Sequence, residues 1–127
     1  MSGSGAASKS FFTLIAEGDL AVATYHRTAL SDEDNIEQMG HELFSLVEQQ
    51  QFRRVILNVS MVQYMTSAAI GKWITLHRKL ARSNGALVLC EIQPSIREIL
   101  ETSRLLTYFN TADSVESARQ KLPAGEE

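Results

Sequence analysis

The chain has 127 residues, the length of one domain, and its 44% hydrophobic and 21% charged residues are close to the globular average. A formal net charge of −3 does not create the positive field that gathers nucleic acid or anionic lipid, so binding to polyanions is not expected. The single cysteine, Cys90, excludes an internal disulfide, and no apolar run approaches the roughly 20 residues of a membrane helix.

Both ends of the chain are small and polar, while the middle carries the apolar residues. Residues 1–10 are predicted to be a flexible tail, and they lack the apolar stretch of a secretory signal. Residues 123–127 are predicted to be a second, shorter tail, so the expected folded domain covers residues 11–122. A single cysteine suits a reducing compartment, and we expect a cytoplasmic protein.

The first elements of the domain are predicted to be a β-hairpin and then a helix. Apolar and aromatic residues fill 11–17 and 20–27, and the intervening Gly-Asp pair predicts a tight turn. Ser31 and Asp34 have capping-box spacing for a helix that is expected to end near Gln50. The apolar residues on one face of this helix are Ile36, Met39, Leu43, Phe44 and Val47.

The middle of the chain predicts a buried strand followed by a second helix. Residues 55–59 form a short apolar run that is typical of a central strand, and residues 60–66 are predicted to be a loop. The second helix is expected to begin near Ser67 and to end before Gly85, the expected C′ residue. Its predicted buried face consists of Ile70, Trp73, Ile74, Leu80 and Ala81.

The last third of the chain continues the alternation of strands and helices. Residues 86–90 predict another buried strand, Pro94 suits the first turn of a third helix, and residues 105–109 predict a short edge strand. Asp113 and Glu116 have the spacing of acids that begin a last helix. The predicted fold is therefore an α/β domain with a mixed, mostly parallel sheet, an antiparallel N-terminal hairpin and about four helices.

Residue patterns for catalysis or metal binding do not occur in the sequence. His26, His41 and His77 lack metal-ligand spacing, and there is no phosphate-binding glycine loop or nucleophile elbow. Cys90 is predicted to be a small core residue rather than a nucleophile. We therefore expect no metal and no cofactor. The second helix carries basic residues that predict a solvated polar face rather than an RNA-binding patch, namely Lys72, Arg78, Lys79 and Arg82.

Residues 62–71 place two hydroxyl side chains where a loop turns into a helix. The carboxyl ends of strands are where α/β sheets meet ligands and partners, and Thr66 and Ser67 fall at such an end. One interpretation is that Ser67 only caps the helix, which is worth about 1 kcal/mol. The other is that Ser67 accepts a phosphate, whose charge of about −1.5 to −2 is tolerated at a helix N-terminus.

The order of the elements and the residues of this segment resemble the STAS domain of bacterial anti-sigma factor antagonists. The similarity runs through RRVILNVSMVQYMTSAAIGKWITLHRKLARSNGALVLC at 53–90, IQPSIREILETSRLLTYF at 92–109 and DSVESA at 113–118. It is weaker over residues 11–50. The resemblance implies a sheet with its helices packed mainly on one side.

In that family the domain binds an anti-sigma factor that is also a serine kinase. Phosphorylation of one serine breaks the complex, and a phosphatase restores it. The resemblance places that serine at Ser67 and the family's preceding Asp at Thr66, while Arg104 stands at a usual Gly. The residues that it implies for partner contact are Tyr64, Met65, Thr66 and Ala68, together with Asp32 at the start of the first helix.

Two other classes of function stay open at this point. The absence of the family's Asp removes a charge beside Ser67 and favours a constitutive, unphosphorylated subunit of a stress-signalling assembly or a transport ATPase. Thr66 carries a hydroxyl of its own, and the spacing does not mark it as a phosphate acceptor. An enzyme or nucleotide-binding protein is the least favoured class. The leading hypothesis is a protein-binding regulatory module, with no direct contact to nucleic acid and no membrane insertion.

Overall fold

A five-stranded sheet lies at the centre of the computed structural model, which describes residues 11–122. The predicted tails, 1–10 and 123–127, lie outside the described residues. The strands are β1 (Phe12–Glu17), β2 (Leu20–Tyr25), β3 (Ala29–Leu30), β4 (Arg54–Asn58), β5 (Tyr64–Met65), β6 (Ala86–Cys90) and β7 (Asn110–Ala112). The helices are α1 (Glu33–Glu48), α2 (Ser67–Arg82), α3 (Pro94–Thr102) and α4 (Val115–Lys121).

The central sheet has the strand order β1-β2-β4-β6-β7. It is parallel throughout except for β1, which pairs antiparallel with β2 at one edge. The predicted hairpin and the mostly parallel sheet are therefore confirmed. Parallel strands need long crossover connections, and these connections supply the helices that cover the sheet.

The helices cover the two faces of the sheet unequally. Helices α1, α2 and α3 pack on one face, where they contribute Met39, Trp73 and Leu100 to the larger core. Helix α4 packs on the other face, where Ala118 joins Cys90 in a smaller core. Three helices on one side and one on the other confirm the arrangement that the resemblance implies. Both faces of β4 and β6 are buried, which explains their continuous apolar runs.

Helix α2 is attached to the sheet by a buried chain of polar contacts. The indole Nε1 of Trp73 donates a hydrogen bond to the Tyr25 hydroxyl at 3.0 Å. That hydroxyl donates in turn to Met39 Sδ on α1 at 3.2 Å. Both rings are fully buried and meet edge to face at 6.2 Å. Because these donors are satisfied, the contact holds α2 to the sheet without an unpaired polar group.

Two predictions about strands are wrong. The sequence predicts a loop over 60–66, whereas residues 64–65 form β5 and pair in parallel with β3. It also predicts an edge strand over 105–109, but these residues form turns, and the edge strand β7 begins at Asn110. The apolar residues before β7 are explained by packing instead, since Phe109 is buried and Leu105 packs against the core.

The helix ends and the buried face of α2 also differ in detail from the predictions. The N-cap of α1 is Asp32 rather than Ser31, and its side chain accepts from the Asp34 N–H at 3.0 Å. On α2, Ala81 is exposed, and the buried face consists of Ala69, Ile70, Trp73, Leu76 and Leu80. The N-cap of α4 is Ser114, which forms a capping box with Ser117.

The turn after α2 uses its residues differently from the prediction. Asn84, rather than Gly85, takes the left-handed backbone, with φ of 63°. Gly85 serves a different need, because a Cβ there would overlap the carbonyl oxygen of Arg53. The close approach of two backbone segments therefore requires glycine at this position.

The basic residues of α2 pack against α1 instead of forming a nucleic-acid patch. Lys72 pairs with Glu37 at 3.1 Å, and Lys79 pairs with Glu48. Both ammonium groups also lie over the ring of Phe44. These contacts agree with the prediction of a polar helix face, and they neutralise half of the basic cluster.

The Trp73–Tyr25 contact predicts coupled effects on stability. Tyr25→Phe leaves the indole N–H buried without an acceptor, so we expect it to lower the free energy of unfolding by about 1–3 kcal/mol. The double variant with Trp73→Phe should lose less than the two single losses combined, because it removes both partners. Urea unfolding of the four proteins measures this coupling. Strictly additive losses would show that the hydrogen bond does not stabilise the fold.

An aromatic cluster around His77 predicts a dependence of stability on pH. His77 on α2 meets the rings of Tyr108 and Phe109 at 4.9 and 5.7 Å. Its buried Nδ1 has no hydrogen-bond partner among residues 11–122, and desolvation lowers the pKa of His77 below 6.5. The unfolded chain therefore takes up the proton more readily, and stability falls as pH falls below about 6.5.

We expect His77→Phe to flatten this dependence. Urea midpoints of the original chain and of the variant, compared between about pH 7.5 and 5.5, isolate the contribution of His77 because the other titrating groups are common to both. Parallel pH profiles for the two proteins would contradict the expectation.

Candidate functional site

Thr66 holds the start of α2 at the edge of the molecule. It is the N-cap residue, and its Oγ1 accepts a hydrogen bond from the Ala69 N–H at 3.4 Å. Its own N–H donates to the Leu30 carbonyl, and its carbonyl accepts from the Ile70 N–H, both at 3.1 Å. The interpretation of Ser67 as the cap is therefore wrong, because the residue before it carries out that role.

The capping by Thr66 leaves the Ser67 hydroxyl free. Ser67 is the first residue of α2 and is exposed, as is Ala68 after it. Within the part of the chain that the structure describes, no side chain or backbone group forms a hydrogen bond with Ser67 Oγ. A reagent or a partner can reach this oxygen without breaking an existing contact.

The other predicted contact residues divide between surface and core. Tyr64 is 55% exposed, whereas Met65 is 3% exposed and packs in the main core. This alternation follows from β5, because successive residues of a strand point to opposite faces. Tyr64 therefore presents its side chain at the surface, whereas Met65 packs beneath it.

Asp32 lies beside this segment because of the small second sheet. Leu30 of β3 is the register partner of Met65 of β5, and each of these two strands is followed by a helix. Because the paired strands β3 and β5 lead into α1 and α2, the two helix starts lie next to each other, with Asp32 capping α1 and Thr66 capping α2. They differ in charge, because Glu33 and Asp34 occupy the first turn of α1 and the first turn of α2 carries no acid.

A groove of about 570 Å³ begins at Ser67 and continues between α2 and the end of α3. Its aliphatic side chains are Met65, Ile70, Ile74, Ile99 and Leu105, and its hydroxyl residues are Tyr64, Thr66, Ser67 and Ser103. The α3 wall is absent from the sequence predictions. The apolar 105–109 segment follows α3 and contributes Leu105 to this wall, but its pattern predicts a strand equally well.

The cysteine and the histidines of the described residues do not form a second candidate site. Cys90 is buried, and burial followed by the charge of Glu91 raises the pKa of its thiol to about 12, which confirms it as a core residue. A groove of about 690 Å³ between β1 and α1 contains His26 and His41. Among residues 11–122, no three potential metal ligands cluster, and no helix is long and apolar enough to cross a membrane.

Comparisons with known proteins agree on one family. The STAS domain model matches residues 14–118. A Bordetella bronchiseptica protein named as an anti-sigma factor antagonist, BtrV, is 37% identical over 84 residues, which is 66% of this chain and 72% of that protein.

Solved structures support the same fold. An anti-sigma factor antagonist structure from Thermotoga maritima superposes with a TM-score of 0.78 at 14% identity, over 90% of this chain and 96% of that one. The Bacillus cell fate determinant SpoIIAA, in its phosphorylated form, superposes with a TM-score of 0.67 at 20% identity, over 86% and 97% of the two chains. At these identities the structures establish the fold alone.

The capping geometry predicts that removal of the two neighbouring hydroxyls has unequal effects on stability. Thr66→Ala removes the acceptor for the Ala69 N–H, so we expect it to lower the free energy of unfolding by about 1 kcal/mol. Ser67→Ala removes a hydroxyl without a partner and should change stability by less than about 0.5 kcal/mol. Thr66→Ser keeps the cap and serves as the control. Equal losses from Thr66→Ala and Ser67→Ala in urea unfolding would contradict this assignment.

Proposed function

This chain belongs to the STAS domain family, and on that premise we propose that it is a partner-switching module controlled by phosphorylation of Ser67. Its antagonist relatives are regulators rather than enzymes. The observation that carries the proposal is the exposed Ser67 hydroxyl beside a cap that another residue provides. The partner surface consists of Tyr64, Thr66, Ser67 and Ala68, with Met65 beneath it and Asp32 next to it.

The partner in this proposal is an anti-sigma factor that is also a serine kinase, and a phosphatase reverses the modification. The Bordetella relative supports the class of partner, since it is named for antagonising an anti-sigma factor. SpoIIAA supports the type of switch, since it has been solved in a phosphorylated and an unphosphorylated form. The proposed site of action is the cytoplasm.

The geometry supports a switch that changes binding and leaves the fold intact. A phosphate on Ser67 adds about −1.5 to −2 charges at the start of α2. The first turn of α2 carries no acid, and the helix N-terminus favours an anion, so the domain accommodates this charge. A partner pressed against Ser67 meets the same charge in a desolvated interface, where it costs several kcal/mol unless it is paired.

In this proposal Thr66 replaces the family's Asp as the cap of the helix. Both residue types cap helices through a side-chain oxygen, and Thr66 does so here. Thr66 is half-buried and its hydroxyl is engaged, whereas Ser67 is exposed and unengaged, which supports Ser67 as the phosphate acceptor.

The uncharged Thr66 also favours a second candidate function. A kinase that reads a carboxylate beside its target serine would not find one here. In this alternative the chain is a constitutive subunit of a stress-signalling assembly or a transport ATPase, and it binds through the same surface without modification.

The switch predicts that Ser67→Asp weakens partner binding and leaves melting nearly unchanged. We expect affinity for the purified partner to fall by about tenfold or more, while the melting temperature moves by less than about 2 °C. Ser67→Ala should bind like the original chain. Gln120→Glu adds a charge on α4, across the sheet from α2, and is the matched control. Equal binding by Ser67→Asp and the original chain would remove the switch.

Recovery of the partner and of the modification separates the two candidate functions. Pull-down from the source organism with mass spectrometry should recover an ATPase with a kinase fold if the chain is a switch, and a transport ATPase if it is a constitutive subunit. Incubation with cell extract and ATP should add one phosphate, mapped to Ser67. An unmodified chain that still binds a transport ATPase would contradict the switch.

A further inference from the structure

The outer edge of β1 is open to a further strand. β1 lies at one end of the sheet and pairs only with β2 among the described residues. Its register with β2 has no bulge, and the strand contains neither Lys nor Pro, so it carries none of these usual blocks to edge pairing. Its one charged residue, Glu17, pairs with Arg119 of α4. The opposite edge strand, β7, is only three residues long, so β1 is the edge better able to accept another chain.

The hairpin geometry shows which backbone groups of β1 point outward. In a two-residue hairpin the residues that flank the turn form a hydrogen-bonded pair, and such pairs recur at every second residue. Glu17 and Leu20 flank the turn. At the other end of the hairpin the His26 N–H donates to the Phe11 carbonyl at 2.9 Å, which fits the same alternation. The residues whose N–H and carbonyl groups point away from β2 are therefore Phe12, Leu14 and Ala16.

A groove between this edge and α1 holds a carboxylate without a cationic partner. This edge groove has a volume of about 690 Å³, and no Lys or Arg lines it. Glu42 lines it and is half-buried, and its carboxylate accepts from the Phe11 N–H and from Gln38 Nε2, both at 3.4 Å. Within residues 11–122 Glu42 forms no salt bridge, whereas Glu37 and Glu48 of the same helix pair with lysines. The charge of Glu42 is left for a group from outside the domain.

We propose that the edge groove binds an extended segment of another protein, which adds a strand to β1 and places a Lys or Arg side chain against Glu42. The main chain of the segment pairs with the outward groups of Phe12, Leu14 and Ala16, at the usual strand spacing of about 4.8 Å. Alternate side chains of an added strand point toward α1, where Glu42 lies. Backbone pairing supplies affinity, and the ion pair supplies specificity. Binding here does not depend on the state of Ser67, because the edge groove shares no lining residue with the groove beside Ser67.

Charge and composition favour a different protein over the other strands that could occupy this edge. A second copy would pair β1 with its own equivalent and bring two Glu42 carboxylates to one interface, with no Lys or Arg from either lining. Residues 1–10 precede Phe11 directly, but they consist largely of Gly, Ala and Ser and lack the β-branched and aromatic side chains that are enriched in strands. A separate basic segment has neither disadvantage.

Two synthetic peptides test the chemistry of the segment. One is a blocked eight-residue peptide of alternating Val and Thr with Lys in place of a central Val, and the matched peptide carries Glu instead of Lys. We expect the Lys peptide to bind the full chain with a Kd of about 1 mM or below, and the Glu peptide to bind about tenfold more weakly. Titration of nitrogen-15-labelled protein, followed by nuclear magnetic resonance, measures both affinities.

Hydrogen exchange in the same samples locates the bound peptide. The Lys peptide should slow the exchange of the amide N–H groups of Phe12, Leu14 and Ala16, which point outward in the free chain. Those of Thr13 and Ile15 already bond to β2, so their exchange should change much less.

Variants of the edge and of the carboxylate complete the test. Ala16→Pro removes an outward N–H at an edge position that tolerates Pro, and it should weaken binding of the Lys peptide by about fivefold or more. Glu42→Gln should weaken it by about threefold to fivefold. Glu33→Gln removes the same charge from α1 outside the edge groove, so it is the matched control and should bind like the original chain.

Edge amides that do not respond to the Lys peptide, or equal affinities for the two peptides, would overturn the proposal. A dimer that Ala16→Pro abolishes, seen by sedimentation, would overturn it in favour of a second copy. Edge amides that exchange quickly only after deletion of residues 1–10 would overturn it in favour of that segment. Ser67→Asp should bind the Lys peptide like the original chain, so this surface and the phosphorylation switch can fail independently.

Discussion

The capping of α2 by Thr66 is the interaction on which the candidate site depends. Three backbone and side-chain contacts converge on this residue, from Leu30 in β3 and from Ala69 and Ile70 in α2. They join the small second sheet to the helix that carries the exposed hydroxyl. Because the side chain of Thr66 already caps the Ala69 N–H, the hydroxyl of the residue after it is not needed as a cap. A hydroxyl that is not needed as a cap can be modified or contacted without unfolding the domain.

Contacts along the rest of α2 fix the position of this helix start. Trp73 and Tyr25 join the middle of the helix to the sheet through a satisfied hydrogen bond, and the ion pairs of Lys72 and Lys79 join its outer face to α1. The helix is therefore held from two directions, so its first turn presents a defined surface.

The sequence predicts the larger elements well because their signals are strong and local. The apolar runs of β4 and β6 and the Gly-Asp turn of the hairpin need no tertiary information. The two-residue strands β3 and β5 carry no such pattern, since their pairing is set by neighbours far apart in the chain. The 105–109 segment is wrongly predicted to be a strand because a buried apolar residue such as Phe109 gives the same sequence pattern in a turn as in a strand. The position of Ser67 follows from the resemblance, but its freedom follows only from the cap at Thr66. The α3 wall of the groove depends on packing between helices, which one sequence does not display.

Cys90 has a practical consequence for future work on this domain. The only thiol of the chain lies inside the smaller core with its pKa raised to about 12, so it is protonated and shielded at neutral pH. Maleimide dyes and nitroxide spin labels react with exposed thiolates, so we expect them not to react with Cys90. Site-specific labels can therefore be attached without first removing Cys90. A label on a cysteine introduced near Ser67 would report contact with a binding partner in real time.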